Sequence, residues 1–152
     1  MQPSQTPPAD PQQPQPSTPR RHIEVVAAVL LRDDTVLATQ RGYGEWKGWW
    51  EFPGGKIQPG ETHIQALTRE LKEELDTLIA PDRYLTTVQY DYPSFHLTMH
   101  CYLCHLLDGT FTLKEHLAAR WLNADTLHTV RWLPADQELI ANLFTRYLPH
   151  SQ

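Results

Sequence analysis

The sequence predicts an α+β domain in which helices are layered on both faces of a mixed β-sheet. Two observations predict this class. Strand-like and helix-like segments follow one another in the order strands, helix, strands, helix, and short turns between the strands favour hairpins. The chain of 152 residues, with 40% hydrophobic side chains, is long enough for one domain with a sizeable core.

The strand segments are apolar or β-branched runs bounded by turn residues. They cover residues 23–31, 36–39, 51–52, 84–92, 95–107, 111–113 and 119–122. Asp33 and Asp34 form the first turn, and Pro93 and Ser94 join the later pair. A loop rich in glycine and tryptophan covers residues 42–50.

The clearest helix begins at Glu61 and Thr62, after a loop that ends in Pro59 and Gly60. One apolar stripe at helical spacing follows: Ile64, Leu67, Leu71, Leu75 and Leu78. A second helix opens at Pro134, an early helical position that tolerates proline. Its predicted core-facing residues are Leu139, Ile140, Leu143 and Leu148. These two helices supply the layers that cover the sheet.

Residues 1–19 differ in composition from the rest of the chain, with seven prolines, five glutamines and few side chains to bury. This composition predicts a disordered tail, partly polyproline II, ahead of a folded domain over residues 20–152. A proline-rich docking peptide is the alternative, but no aromatic or basic anchor lies among the prolines. A solvated extension is therefore the favoured interpretation.

Charge and composition exclude some classes of partner. The net charge of −5 disfavours binding along a nucleic-acid polymer, which depends on clustered lysine and arginine. The longest wholly apolar run, residues 25–31, is too short to cross a membrane. Cys101 and Cys104 lie three apart on a predicted strand and face opposite ways, so we expect two buried thiols and not a shared ligand. We therefore expect a reducing, cytoplasmic compartment.

Three glutamates share one face of the first helix. Glu70 lies three and four residues before Glu73 and Glu74, so their carboxylates are neighbours that repel one another. A solvated acidic face paired with nearby basic residues would give the same pattern. The adjacent glycines before the helix favour a different interpretation, because glycines let the backbone approach a ligand closely. Carboxylate and carbonyl oxygens suit Mg²⁺ or Mn²⁺, which also bind substrate phosphates.

Two further residues of this segment have predicted roles that follow from their charge. Arg69 lies eight residues after Glu61 and can bind its carboxylate through two hydrogen bonds, which would hold the loop against the helix. We interpret this pair as scaffold. Lys56, beside the glycines, would offset charge on a phosphate chain.

From Gly55 to Thr77 the sequence resembles the Nudix box, G-x5-E-x7-R-E-U-x-E-E-x-G-U, in which U is aliphatic. The matching positions are Gly55, Glu61, Arg69, Glu70, Leu71, Glu73 and Glu74. Asp76 and Thr77 depart from the usual glycine and aliphatic residue, at positions that close and pack the helix. The resemblance extends over most of residues 22–146, and the segments 40–41, 51–56 and 133–136 are similar to the MutT branch.

This resemblance implies a Nudix-like α/β/α sandwich and metal-dependent hydrolysis of a (deoxy)nucleoside triphosphate to a monophosphate and pyrophosphate. In the MutT branch attack is at the β-phosphorus, and 8-oxo-dGTP is the implied substrate. A CTP or dCTP pyrophosphohydrolase is the alternative. A catalytically silent nucleotide-binding module is another, although such proteins generally lack a box glutamate that this chain retains. ADP-ribose, dinucleoside polyphosphates and capped RNA are less favoured substrates. The oligomeric state stays open between monomer and homodimer.

The resemblance also implies site residues. The metal ligands are the carbonyl of Gly54 and the carboxylates of Glu70, Glu73, Glu74 and Glu115, with Mg²⁺ or Mn²⁺ as the ion. Glu73 is favoured as the general base, and Glu70 and Glu115 are the alternatives. The implied substrate-binding residues are Arg41, Lys56, Phe52 and Asp136. Tyr90 and Tyr92 are further stacking candidates, and the tryptophans of residues 46–50 form either a lid or ordinary packing.

Asp136 stands where MutT has asparagine, and its charge state determines which base it would favour. An ionised carboxylate only accepts hydrogen bonds and favours base edges with amino groups, such as those of cytosine or guanine. A protonated carboxyl group would mimic the amide and favour oxidised guanine, provided that it is deeply buried. The sequence leaves both states open.

Overall fold

The computed structural model describes residues 20–148 of the chain. Within that range the strands are β1 (Arg21–Arg32), β2 (Thr35–Gln40), β3 (Trp50–Glu51), β4 (Gly54–Lys56), β5 (Ile79–Tyr92), β6 (Phe95–Leu106) and β7 (Ala118–Leu122). The helices are α1 (His63–Leu75) and α2 (Pro134–Ile140), with a 3-10 turn at Leu127–Thr129 and a π-helical turn at Leu143–Tyr147. The predicted tail, residues 1–19, and the domain's last residues, 149–152, lie outside the described residues.

The sheet is mixed, as predicted. Its order is β3-β2-β1-β6-β5, with β4 paired to β1 and β7 paired to β2. Strands β1 and β6 run parallel, whereas the other named strand pairs are antiparallel. On the side away from β6, β1 pairs first with β4, along Val25–Ala27, and then with β2, at Leu31 and Arg32. Strands β4 and β2 therefore share one edge of β1. Through β4, the segment that precedes α1 lies against this edge.

Helices cover both faces of the sheet, which confirms the predicted sandwich. Successive residues of a strand face opposite ways. Val26, Ala28 and Leu30 pack in a cluster with Leu67, Leu71 and Leu75 of α1. Ala27 and Val29 pack in the other cluster, whose members from α2 and the turn after it are Leu139, Ile140, Leu143 and Leu148. Full burial of each such leucine stabilises the fold by about 1.5–3 kcal/mol.

Both cysteines are free and buried, on opposite faces of β6. Cys101 belongs to the α2-side cluster and Cys104 to the α1-side cluster. The prediction of two buried thiols that face opposite ways is therefore confirmed. No helix within residues 20–148 is long and apolar enough to span a membrane.

Helix α1 begins as predicted but ends earlier. Thr62 caps it: its hydroxyl accepts from the Gln65 N–H at 3.1 Å, and the Gln65 side chain accepts from the Thr62 N–H at 2.9 Å. The helix ends at Leu75 because Asp76 adopts a left-handed conformation, with φ of 48°. Leu78 therefore lies outside the helix and is 51% exposed, so its assignment to the apolar stripe was wrong.

The predicted strand at 111–113 is also wrong. These residues run past the C-terminal end of α1, where the N–H of Thr112 donates to the carbonyl of Leu75 at 2.7 Å. The N–H of Lys114 donates in the same way to the carbonyl of Glu74 at 3.1 Å. Carbonyls at a helix end lack partners within the helix, so the segment satisfies them and forms no strand.

Most predicted strands differ from the structure by one or two residues at an end, and two differences are larger. Strand β5 begins at Ile79, five residues before the predicted start at Tyr84, because the chain enters the sheet soon after α1 ends. Strand β4 was not predicted, since Gly54–Lys56 was interpreted as a turn. Its glycines carry no side-chain pattern from which a strand could be inferred.

Candidate functional site

The two glycines of β4 are required by close packing. A Cβ on Gly54 would lie 2.9 Å from Ala27 Cα, and closer still to the Val26 carbonyl oxygen. A Cβ on Gly55 would meet the carboxylate of Glu70, with Oε2 at 2.6 Å. Since real Cβ atoms do not approach so closely, this pair lets β4 join the sheet while Glu70 of α1 rests on the strand's backbone.

Arg69 holds the loop to the helix, as predicted. Its Nε and Nη2 donate to the two carboxylate oxygens of Glu61 at 2.6 and 2.9 Å. Nη2 also donates to the carbonyl of Lys56 at 2.9 Å, and the N–H of Gln58 donates to Glu61 at 2.8 Å. The hydrogen bond from Arg69 lowers the pKa of Glu61 to about 2. The interpretation of this pair as scaffold is confirmed by its geometry.

The three box glutamates line one cavity but differ in exposure. The carboxylates of Glu70 and Glu74 are largely buried, whereas the side chain of Glu73 is 60% exposed. Arg69 Nη1 donates to Glu70 at 2.9 Å and to Glu73 at 3.2 Å. Burial raises the pKa of Glu70. Burial first, and then the negative charges of Glu70, Glu51 and Glu115, raise the pKa of Glu74 to about 8.

This donor set fits a divalent cation. Glu74 Oε1 is buried and has no hydrogen-bond partner among the described residues. A buried polar oxygen without a partner is costly, and a cation bound between Glu74 and Glu70 would supply the partner and offset their repulsion. Oxygen ligands of this kind suit Mg²⁺ or Mn²⁺.

A second polar cluster adjoins Glu74 and was missed from the sequence. Arg41 Nη1 donates to Glu51 at 2.9 Å, and His116 Nε2 lies 3.6 Å from Glu51 and 4.0 Å from Glu74. Glu51 interrupts a run of large aromatic residues, which is a signal that the sequence offered. His116 has no such signal, because only the fold brings it to the site. Together these residues link the carboxylate cluster to the base of the loop that follows β2.

The cavity has a volume of about 630 Å³, which is within the range of small-molecule sites. Its lining combines the box carboxylates with aromatic side chains, among them Trp46, Phe52 and Tyr92. Trp46 packs edge-on against Tyr92, with ring centroids 5.7 Å apart. Trp46 packs on the core, which agrees with the packing interpretation of the tryptophan loop, and it also borders the cavity. A cavity with carboxylates and aromatic rings suits a nucleotide.

Asp136 lies on α2, borders the cavity and is 4% exposed. Its Oδ1 accepts from the N–H of Phe52 at 3.0 Å. Burial, and then the charge of Glu51, raise the pKa of Asp136 to about 8. This shift favours the protonated carboxyl group, which is the state that mimics an amide.

The remaining predicted residues fall in different places. Arg41, Lys56 and Phe52 line the cavity together with Gly54, Glu70, Glu73, Glu74 and Asp136. Glu115 is exposed, and its carbonyl packs against Gly42. Its charge is nonetheless close enough to raise the pKa of Glu74. The fold thus brings most of the predicted site residues to one cavity, whereas Glu115 and the stacking candidate Tyr90 lie outside its lining.

Comparison with known proteins agrees with this geometry. The NUDIX domain family matches residues 21–143. A Mycobacterium tuberculosis protein named as a candidate 8-oxo-dGTP diphosphatase is 41% identical over 124 residues, covering 78% of this chain and 86% of the relative. An Escherichia coli CTP pyrophosphohydrolase is 35% identical over 119 residues, covering 78% of this chain and 88% of the relative.

Solved structures share the fold. The solution structure of the Escherichia coli ORF135 protein aligns with a TM-score of 0.69 at 35% identity, covering 80% of this chain and 88% of that one. The MutT NUDIX hydrolase from Burkholderia pseudomallei aligns with a TM-score of 0.73 at 24% identity, covering 81% and 98%. Because the family match spans the sheet, the box helix and the cavity described above, the chain belongs to the NUDIX family and is a MutT-like Nudix hydrolase.

Proposed function

We propose that the chain hydrolyses nucleoside triphosphates to nucleoside monophosphates and pyrophosphate, with 8-oxo-dGTP as its preferred substrate. The observation that carries this preference is the burial of Asp136 beside a cavity whose lining also contains the box carboxylates, since that burial raises the pKa of Asp136 and favours its protonated form. A protonated carboxyl group offers one donor and one acceptor, which is the pattern of the amide that the MutT branch has at this position.

Nudix hydrolases use divalent metal ions, and we propose Mg²⁺ or Mn²⁺ for this chain. The proposed ligands are the carbonyl of Gly54 and the carboxylates of Glu70, Glu73, Glu74 and Glu115. Bound there, the ions would neutralise phosphate charge and lower the pKa of a water molecule. The orphaned oxygen of Glu74 supports this assignment.

The chain's own residues divide the remaining work. Glu73 is the proposed general base, because its carboxylate borders the cavity, is open to solvent and is held by a single hydrogen bond from Arg69 at 3.2 Å. Lys56 borders the same cavity and would offset charge on the phosphate chain. Arg41, fixed by Glu51, would contact the nucleotide. Triphosphate hydrolysis depends mainly on such positioning and charge stabilisation.

Base recognition falls to Phe52 and Asp136. The backbone N–H of Phe52 donates to Oδ1 of Asp136 and fixes the carboxyl group beside the cavity, so a protonated Asp136 would carry its proton on Oδ2. The Phe52 ring lies 4.7 Å from that of Trp132, which holds it in place at the cavity. A base that stacks on Phe52 could therefore donate one hydrogen bond to Asp136 and accept another.

Cytidine nucleotides are the second candidate substrates. They are favoured by the 35% identity to the CTP pyrophosphohydrolase, which the chain covers over 88% of its length. The amino group of cytosine would suit an ionised Asp136. A silent nucleotide-binding module is disfavoured, since the chain retains every box glutamate.

The test is pyrophosphate release from 8-oxo-dGTP, dGTP, CTP, dCTP and ADP-ribose with Mg²⁺ or Mn²⁺, with an enzyme-free reaction as the blank. We expect the highest kcat/KM for 8-oxo-dGTP and slow turnover of ADP-ribose. For Asp136→Asn we expect the ranking of bases to change by less than threefold, because the amide reproduces the protonated carboxyl group. A change of about tenfold or more, ~1.4 kcal/mol, would assign an ionised Asp136 and the cytidine substrates.

Compartment and assembly complete the proposal. The two free thiols favour the reducing cytoplasm. The partner is a nucleoside triphosphate and not a nucleic-acid polymer or a membrane, and either a monomer or a homodimer is consistent with the site. Size-exclusion chromatography with light scattering would distinguish the two.

A further inference from the structure

A histidine-rich patch lies on the α1 side of the sheet, beyond the end of the buried core. Its members are His22 and Glu24 of β1, His96 and His100 of β6, and His63 at the start of α1. The cavity is lined by Ile23, Val25 and Leu97 of the same strands, whose side chains face the other way. None of the patch residues lines the cavity, so the patch is distinct from the candidate active site, although α1 contributes to both.

Three side chains of the patch converge. One ligand atom each from Glu24, His63 and His100 lie within 4.8 Å of one another. The carboxylate of Glu24 and Nε2 of His100 are 2.5 Å apart, and the rings of His63 and His100 stack with centroids 4.0 Å apart. Glu24 is half exposed, whereas His100 is only 13% exposed. The cluster is thus built on a fixed histidine and is open to solvent on its carboxylate side.

The outer nitrogens of both imidazoles already have partners. Nδ1 of His100 hydrogen-bonds the hydroxyl of Thr87 at 3.0 Å, and Nδ1 of His63 hydrogen-bonds the hydroxyl of Tyr102 at 2.8 Å. Nε2 is therefore the nitrogen that each ring can offer to a metal, and in His100 a metal would replace its hydrogen bond to the carboxylate of Glu24. Histidines that bind metals commonly have this arrangement, in which a second hydrogen bond fixes the ring and its tautomer.

We propose that Glu24, His63 and His100 form a second cation site, separate from the box carboxylates and selective for Zn²⁺ or a similar imidazole-binding metal. Two imidazoles and one carboxylate are a donor set that zinc accepts, with water as the fourth ligand. Mg²⁺ prefers an all-oxygen set and would not compete well. With Zn–N distances of about 2.0–2.1 Å, the ligand atoms of a tetrahedral site lie roughly 3.4 Å apart. Glu24 and His100 would therefore separate, and His63 would move closer, when the ion binds.

The position of the site gives it a structural effect. Glu24 and His100 lie on the parallel pair β1 and β6, and His63 is the first residue of the helix that carries the box glutamates. A cation bound by all three would tie the start of α1 to the sheet. Its effect is therefore expected on stability, and not on the chemistry in the cavity.

The test is zinc binding by the full chain, free of any affinity tag and in excess Mg²⁺, measured by calorimetry and by the visible absorption of Co²⁺ as a probe. Co²⁺ in a tetrahedral site with nitrogen ligands absorbs far more strongly than in an octahedral oxygen site, so the two sites are distinguishable. The variants are Glu24→Gln and His63→Gln. The matched control is His22→Gln, since His22 belongs to the patch but bonds Thr98 instead of the triad.

We expect one zinc ion per chain, a strong Co²⁺ band, and a melting temperature about 5 °C or more higher at a zinc concentration of a hundred times Kd. Glu24→Gln and His63→Gln should each weaken zinc binding by at least about tenfold. The zinc affinity of His22→Gln should stay within twofold of the unsubstituted chain, and so should the Mg²⁺-dependent hydrolysis rate of all three variants. Glu24 is half exposed, so its variant should fold. The proposal is overturned if no tetrahedral Co²⁺ band appears, or if binding survives Glu24→Gln and His63→Gln undiminished. Neither result depends on which nucleotide the cavity takes.

Discussion

The adjacent glycines of β4 should respond differently to the same substitution. Gly55→Ala adds a methyl group that would sit 2.6 Å from Glu70 Oε2, and closer to the carboxylate carbon. Ordinary contact begins near 3.4 Å, so the carboxylate must move by about 1 Å. Because the end of a side chain moves easily, we expect the fold to accommodate the methyl group while Glu70 leaves its position at the metal site.

A displacement of about 1 Å in an active site can cost roughly 10²-fold in rate. We therefore expect Gly55→Ala to lower kcat/KM by about that factor, with a melting temperature within a few degrees of the unsubstituted chain. Gly54→Ala is the matched control. Its methyl group would meet the backbone of Val26 and Ala27, which cannot give way without loss of the β1–β4 pairing. We expect that variant to be destabilised by about 1–3 kcal/mol or more.

The assays are thermal unfolding by circular dichroism and pyrophosphate release under saturating Mg²⁺. Gly55→Ala should appear folded and slow, and Gly54→Ala should unfold several degrees earlier. A Gly55→Ala variant with near-normal activity would refute the inference that Glu70 must rest on the β4 backbone. Equal loss of stability in both variants would refute the distinction between side-chain and backbone contact.

Three further predictions concern charge. Glu73→Gln should lower the rate by roughly 10²-fold, ~3 kcal/mol, with an unchanged melting temperature because Glu73 is exposed; a normal rate in the pyrophosphate assay would remove it from the site. Excess chelator should abolish hydrolysis and added Mg²⁺ restore it, so sustained turnover in chelator would contradict the metal assignment. Asp136 has a folded-state pKa raised from 3.8 to about 8, so stability is lost as pH rises through that window, by up to ~1.4 kcal/mol per pH unit. The measurement is the free energy of urea unfolding of Asp136→Asn and of the unsubstituted chain at pH 5 to 8. The variant should become more stable relative to the unsubstituted chain as the pH rises. A difference that stays constant would show that Asp136 is already ionised over this range.

The sequence predicts best those elements in which a pattern of apolar side chains repeats over many residues. The stripe through Leu67, Leu71 and Leu75 predicts α1 and its buried face. Asp76 occupies the position where the family has glycine, and this position marks the end of the helix. The apolar Leu78 continues the helical spacing, so the prediction extended the helix too far. Strand β4 has only three residues, two of them glycines, and pairs through backbone groups that no side-chain pattern reports.

The candidate site shows the same division. Glu70, Glu73 and Glu74 are close in sequence, so helical spacing alone brings them together. Glu51 and His116 approach Glu74 from β3 and from the loop before β7. Glu24, His63 and His100 likewise come from three elements. Such groups depend on how the sheet is ordered. The predicted mixed sheet did not specify which strands pair in parallel, and it is the parallel pairing of β1 with β6 that brings Glu24 next to His100.

Burial acts on two carboxyl groups of the cavity in the same direction but with different outcomes. Glu74 and Asp136 both have a pKa raised to about 8. Glu74 lies next to Glu70 and has an oxygen without a partner, so a divalent cation stabilises its ionised form and relieves the repulsion. Asp136 is removed from the box helix and its Oδ1 is bound by a backbone N–H, so a proton is the simpler way to remove its charge. Because the neighbours differ, the same desolvation favours metal binding by Glu74, whereas in Asp136 it favours a protonated carboxyl group that can donate a hydrogen bond to the base.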